Sequence, residues 1–189
     1  MDSNAGGAHT GPMEMTTSPS AALEHLNALD EARFVERLGS AVEHAPWVAR
    51  AAWPQRPFAS TDAVFMAMRA AILAADREAQ RVLLCGHPEL AGREAVAGQM
   101  TDDSTSEQGR LGLLSLSPAQ WAQLQDTNRR YRERFGIPLI VALRLHGSLE
   151  SVLDSALNRL QHTPDQEWAT ALDQVCEVMR GRLQRALSQ

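Results

Sequence analysis

The feature that most constrains this chain is the rhythm of its apolar residues. From about residue 21 onward they recur every three or four positions, the repeat of one helix face, and no stretch shows the sustained two-residue alternation of a half-buried strand. Phe34, Leu38 and Val42 set one stripe, predicting a helix from Asp30 to His44 that Pro46 stops. Val64, Met68, Ile72 and Ala75 form another, opening after Ser60 as N-cap and broken at Cys85-Gly86-His87-Pro88. Ser104-x-x-Glu107 reads as a capping box that opens a helix toward Leu114. Ser117-Pro118 starts the next, with Trp121, Leu124, Asn128 and Tyr131 along one face and Gly136 as its C-terminal stop. Leu149, Val152, Leu153, Ala156, Leu157 and Leu160 mark a further helix, and Thr163-Pro164-Asp165-Gln166 caps the last, which runs through Trp168, Leu172, Val175, Met179 and Leu183. Leu139 to Leu145 is a short apolar run whose state periodicity does not decide. With no internal repeat, these segments predict an all-α, single-domain helical bundle. Residues 21–189 form the domain, and 1–20, rich in Gly, Ser, Thr, Pro and Met, form a disordered N-terminal tail.

Composition narrows the chemistry. All 18 basic residues are arginine. The absence of lysine removes Schiff-base catalysis, the lysine of pyridoxal-phosphate enzymes and the P-loop. No Gly-rich dinucleotide fingerprint follows a strand. The net charge of −5 argues against a nucleic-acid surface, which needs a clustered positive patch. No apolar run approaches the roughly 20 residues of a membrane helix, and the first residues lack the basic start and apolar core of a secretory signal. Two cysteines, Cys85 and Cys176, make neither a disulfide framework nor a zinc pattern, which fits reduced thiols in a cytoplasmic protein. The C-terminal Leu187-Ser188-Gln189 does not match a peroxisomal ending. Chemistry here falls to His, carboxylate, Arg, Ser and backbone groups.

Gly86-His87-Pro88-Glu89-Leu90-Ala91 resembles an H-P-x-L-A segment, and Thr101 to Gln108 resembles an S-x-x-E-Q segment. Asn128-Arg129-Arg130-Tyr131-Arg132-Glu133-Arg134-Phe135-Gly136-Ile137-Pro138-Leu139-Ile140 is similar to N-x-x-Y-x-x-[KR]-F-G-x-P-F-I. Glu43-His44-Ala45-Pro46-Trp47-Val48 and Arg56-Pro57-Phe58 upstream fit the same pattern, as do Arg159-Leu160, Glu167 and Arg180-Gly181-Arg182-Leu183 downstream. In this order and spacing, from about Leu23 to Leu187, they resemble the 2-oxo-4-hydroxy-4-carboxy-5-ureidoimidazoline (OHCU) decarboxylases, small all-helical enzymes of urate degradation. The departures are Leu139 where Phe is usual, Met100 where Leu is usual, and Gly181 inside the last helix, where Gly costs roughly 1 kcal/mol against Ala.

The resemblance implies decarboxylation to (S)-allantoin without a cofactor or metal, because the substrate carries its own electron sink, a C=N bond beside the carbon that loses CO2. It implies His87 as proton donor, titrating near neutral pH, and Glu107 as the group that orients it or accepts from the substrate hydroxyl. Pro88, Ser104, Gln108 and the segment Leu139, Ile140, Val141, Ala142 and Leu143 would hold the ureido and ring amides. Arg182, or its neighbour Arg180, would meet the polar or anionic end. A homodimer is implied, with a small-molecule ureidoimidazoline substrate and neither nucleic acid nor membrane as partner. Each residue also has a plain structural reading. Ser104 and Glu107 serve a helix cap, Asn128 and Tyr131 pack helices, Arg182 is a solvated charge, and Cys85 is a small buried side chain. A helical interaction module, or an enzyme acting on a related ureido or hydantoin compound, are the rival functions.

Overall fold

A computed structural model describes residues 20–92 and 101–188. The expected tail before Ser20 lies outside these residues, as does the Ala- and Gly-rich stretch after Gly92 with Met100. The described chain is helical throughout, with no strand: α1 (Ala21–Ala28), α2 (Glu31–Leu38), α3 (Pro46–Ala52), α4 (Thr61–Ala74), α5 (Arg77–Cys85), α6 (Asp102–Arg110), α7 (Pro118–Phe135), α8 (Leu149–Arg159) and α9 (Pro164–Leu187). The all-α expectation therefore holds. None of these helices is long and apolar enough to cross a membrane.

Caps explain where most helices begin. Ser60 accepts from the Ala63 amide at 3.1 Å, as its position predicts. Ser117 and Thr163 each close a full capping box with Pro at the helix start. Gly136 ends α7 in the left-handed region (φ 70°), its N–H donating to the Arg132 carbonyl at 2.8 Å.

Four boundaries differ from the sequence reading. Ser20 caps a helix, α1, that the stripes did not show. The predicted 30–44 helix stops at Leu38 and passes through a 3-10 turn, Gly39–Ala41; Pro46 then begins α3 rather than merely ending α2. Asp76 accepts from the Ala79 amide at 2.8 Å and opens a separate helix, so the stripe from Val64 does not run unbroken to Cys85. The fourth concerns the site. Thr101, not Ser104, caps α6, which places Ser104 inside the first turn.

Helix α9 is the spine, packing against α2, α4, α5 and the 3-10 turn at Gly39–Ala41. Phe34, Val48, Val64, Met68, Ile72, Leu84, Leu124, Met179 and Leu183 are fully buried around it. Trp121 and Leu157, both assigned to inner faces by periodicity, are exposed, as is Cys85. Arg56 ties the N-terminal helices together, donating to the carbonyls of Asn27 (2.8 Å) and Leu29 (2.5 Å) and stacking 4.2 Å from the Trp53 ring. Gly181 has a packing reason: a Cβ there would stand 3.0 Å from Cδ of Arg144, which crosses α9 at that point.

Replacing Thr163 by Ala removes one half of a capping box and costs about 1 kcal/mol. For a domain of this size that lowers the melting temperature by roughly 2–4 °C in a calorimetric scan.

Candidate active site

Helix α6 is built to aim polar groups one way. Ser104, Glu107 and Gln108 stand at i, i+3 and i+4, so all three share one face. Ser104 and Gln108 are buried, and Glu107 is partly so. A helix face this polar is buried only if other groups satisfy it.

Those groups come from α9 and from the loop before α3. Arg182 is 3% exposed; it is no solvated charge. Its Nε and Nη2 donate to Glu107 at 3.2 and 2.9 Å, and Nη2 also reaches Ser104 Oγ at 3.1 Å and Glu43 Oε1 at 3.4 Å. Glu43, itself buried, accepts from the hydroxyls of Thr101 and Ser104. Arg185 bridges Glu107 (2.9 Å) and Asp103 (3.0 Å). Arg180 points elsewhere: it pairs with Asp62 at 2.9 Å and lies 3.7 Å over the Phe65 ring. Among the described residues, Arg182 Nη1 and Glu43 Oε2 are buried with no hydrogen-bond partner.

His87 stands just beyond the end of α5, partly buried beside buried Pro88. Burial pulls its pKa down to about 4, against the ordinary 6.5. Glu43 and Glu107 push it up, while Arg182 and His44 push it down. The expected near-neutral titration is therefore displaced, and the free imidazole is uncharged at pH 7. Burial raises the pKa of Glu43, but hydrogen bonds from Ser104 and Thr101 and the charge of Arg182 outweigh this and leave it lowered. Glu107 makes no hydrogen bond to His87 among the described residues; it acts on the ring through its charge.

The backbone after His87 is held from two helices. The Ala91 N–H donates to Gln108 Oε1 at 2.9 Å, and its carbonyl accepts from Gln125 at 2.9 Å. Asn128 donates to the Leu90 carbonyl at 2.9 Å. These bonds keep Ala91 at φ 46°, a region few non-glycine residues occupy. Gln108 thus supports the His87 loop, a role its sequence position did not suggest.

Leu139 to Leu143 is buried, irregular chain leading into a 3-10 turn. Arg159 donates to the Ile140 carbonyl at 2.7 Å, Gln174 accepts from the Ala142 N–H at 2.9 Å, and Arg110 of α6 donates to the Leu143 carbonyl. Arg159 also holds Glu167 at 2.6 Å and the Tyr131 hydroxyl at 3.0 Å, with His162 on the second Glu167 oxygen at 2.9 Å. No hydrogen bond of the described residues joins this segment to His87, Ser104 or Glu107. Nor do three or more described His, Cys, Asp or Glu side chains gather where a metal could sit.

The sequence from 27 to 184 matches the family model of OHCU decarboxylase. The chain belongs to that family. It is 39% identical over 166 residues to the 2-oxo-4-hydroxy-4-carboxy-5-ureidoimidazoline decarboxylase of Haloferax volcanii, covering 88% of this chain and 96% of that one. It is 39% identical over 158 residues to the decarboxylase of the same name in Mus musculus, covering 84% and 88%. Among solved structures, an (S)-allantoin synthase superposes with a TM-score of 0.68 at 26% identity, over 87% of this chain and 53% of that one. An OHCU decarboxylase crystallised with (S)-allantoin shares the fold, with a TM-score of 0.62 at 15% identity. Glu43 was not singled out from the sequence as a site residue. Its only signal was its place in the E-H-A-P-W-V segment.

The His87 shift has a sign that can be checked. Its folded pKa lies below its unfolded value, so between pH 6.5 and about 4 the unfolded chain binds a proton that the folded chain refuses. His87 therefore contributes a loss of stability as pH falls through that window, and nothing above it. The lowered Glu43 pKa adds a loss that begins as pH falls through its ordinary 4.5 and continues below it. Urea unfolding of His87→Asn at stepped pH should show a shallower decline between pH 6.5 and 4 than the wild type.

Proposed function

We propose that this protein decarboxylates 2-oxo-4-hydroxy-4-carboxy-5-ureidoimidazoline to (S)-allantoin, a step of urate degradation, and that it does so without a cofactor. The observation that carries this reading is the meeting of Glu107, Ser104 and Arg182, beside His87, in a chain whose residues 27–184 match the family model.

The chemistry follows from substrate and site together. The C–CO2 bond breaks, its electron pair forms a ring C=C bond, and the displaced C=N pair moves to nitrogen, which takes up a proton. CO2 leaves and an enol remains. A neutral His87 accepts the enol hydroxyl proton as the carbonyl forms, then delivers a proton to one face of the adjacent carbon. Net, one proton is consumed and one CO2 released, and the face of delivery sets the configuration. Glu107 favours, through its charge, the imidazolium that His87 becomes. The two N–H groups of Arg182 Nη1 have no described protein partner, and an anionic substrate group would satisfy them. Peptide groups of the 139–143 segment, with Pro88, Ser104 and Gln108, hold the ureido and ring amides.

Residues 21–189 as the catalytic domain with a tail at 1–20, homodimeric assembly and a cytoplasmic location belong to the same reading. The family match from 27 to 184 supports the first. The other two rest on the family resemblance and on the cysteine usage.

The test is circular dichroism of substrate freshly made from urate, since the compound decays on its own to racemic allantoin. Wild-type protein should build an (S)-allantoin signal, and His87→Asn should slow it at least about 100-fold while remaining folded. Arg182→Lys keeps the charge but loses the fork, and should lower kcat/KM about 10- to 100-fold. Decay to an optically silent product at the uncatalysed rate in the wild type would refute the reading.

A further inference from the structure

The buried carboxylate of Glu43 is unused by the reaction as written, and what it holds is the cap of α6, Ser104 and Arg182. An apolar side chain would fill the same place without the penalty of an ion removed from water. Glu43 sits between the 3-10 turn and α3, 6% exposed, beside His44 at φ 55°. A backbone held in that region persists only where its surroundings over-determine it. Here they do: two hydroxyls and a guanidinium converge on Glu43 Oε1.

What Glu43 holds is as informative. The Arg182 guanidinium is pulled two ways. Glu107 takes Nε and Nη2 from the more exposed side, where Asp103 of α6 pairs with Arg185 of α9 at 39% and 50% side-chain exposure. Glu43 takes the same Nη2 from the interior. Without it, the strongest partners left to Arg182 lie toward that exposed side. We propose that Glu43 is a positioning residue. It clamps Arg182 and the first turn of α6 so that the Nη1 edge, Glu107 and the His87 imidazole face the substrate in one fixed arrangement.

The same carboxylate is part of the electrostatic setting of His87. The charged and titratable groups that act on the ring are Glu43 and His44 from the loop before α3, Glu107 from α6 and Arg182 from α9. Glu43 is the strongest of them and favours the imidazolium. Removing its charge should make His87 harder to protonate.

This inference rests on the roles proposed above for Arg182 and His87, and two variants test it. Glu43→Gln keeps the shape and an acceptor oxygen for Thr101 and Ser104 but loses the charge. It should lower kcat about 10- to 100-fold with the melting temperature little changed. It should also move the His87 titration, read by NMR of histidine labelled at Cε1 and assigned with His87→Asn, to lower pH. Glu43→Asp keeps the charge and shortens the reach. It should leave the titration near that of the wild type and still lower kcat. If Glu43→Gln does not fold, Glu43→Asp decides the matter alone. Wild-type kcat in Glu43→Asp, or a Glu43→Gln protein whose only change is a lower melting temperature, would overturn the proposal. The titration needs no turnover. A shifted titration in a protein that makes no (S)-allantoin would therefore refute the function and leave the electrostatic link to His87 standing. An active wild type with an indifferent Glu43→Gln would refute the positioning role alone.

Discussion

The alternating line of charge through Glu43, Arg182, Glu107, Arg185 and Asp103 is what the rest of the site depends on. Side-chain exposure rises along it, from 2% at Glu43 and Arg182 through 21% at Glu107 to 50% at Arg185. Each inner charge lies between two of opposite sign, which lets ions be buried at all. Removing Arg182 or Glu107 strands a neighbour on each side, so their loss is costly out of proportion to the bond lost, whereas Glu43 ends the line. In the same way the line fixes three parts of the chain, the loop before α3, helix α6 and helix α9, with respect to one another.

A second array, buried Tyr131, Arg159 and Glu167 with partly exposed His162, plays a matching part elsewhere in the bundle. It joins α7, α8 and the start of α9, and through the Ile140 carbonyl it fixes an irregular buried segment whose peptide groups cannot satisfy one another. The loop before α3 and residues 139–143 are therefore both held by charge-assisted hydrogen bonds rather than by regular backbone pairing, which helices alone cannot supply to a loop.

Much of the fold was legible because its signals are local. Ser60, Ser117-Pro118, Gly136 and Thr163-Pro164 act within one helical turn, and each marks a boundary where the sequence suggests. The failures are instructive for the same reason. Ser104-x-x-Glu107 has the form of a cap, yet Thr101 three residues earlier takes the role, since both fit the local rule and only the burial of Ser104 against Glu43 decides between them. Trp121 follows the apolar stripe of α7 but faces solvent, because periodicity gives a face and not the extent of what covers it. Glu43 could not be seen at all. A carboxylate in a short loop looks solvated until a partner 139 residues away is placed beside it. The ordered motifs located His87, Glu107 and Arg182 in the chain, but not the low pKa of His87, which comes from burial, helped by Arg182 and His44 and opposed by Glu43 and Glu107.

That 139-residue separation bears on how the protein reaches its working state. All the described α-helices but α3 begin at a side-chain cap of their own, and helical contacts are quick to make. The charge line cannot begin this way. It needs the loop before α3, the start of α6 and the far half of α9 in place together, and closing so long a loop has no reward until the partners meet. The last contacts to close are therefore those between Glu43 and Arg182, which no single helix can form by itself.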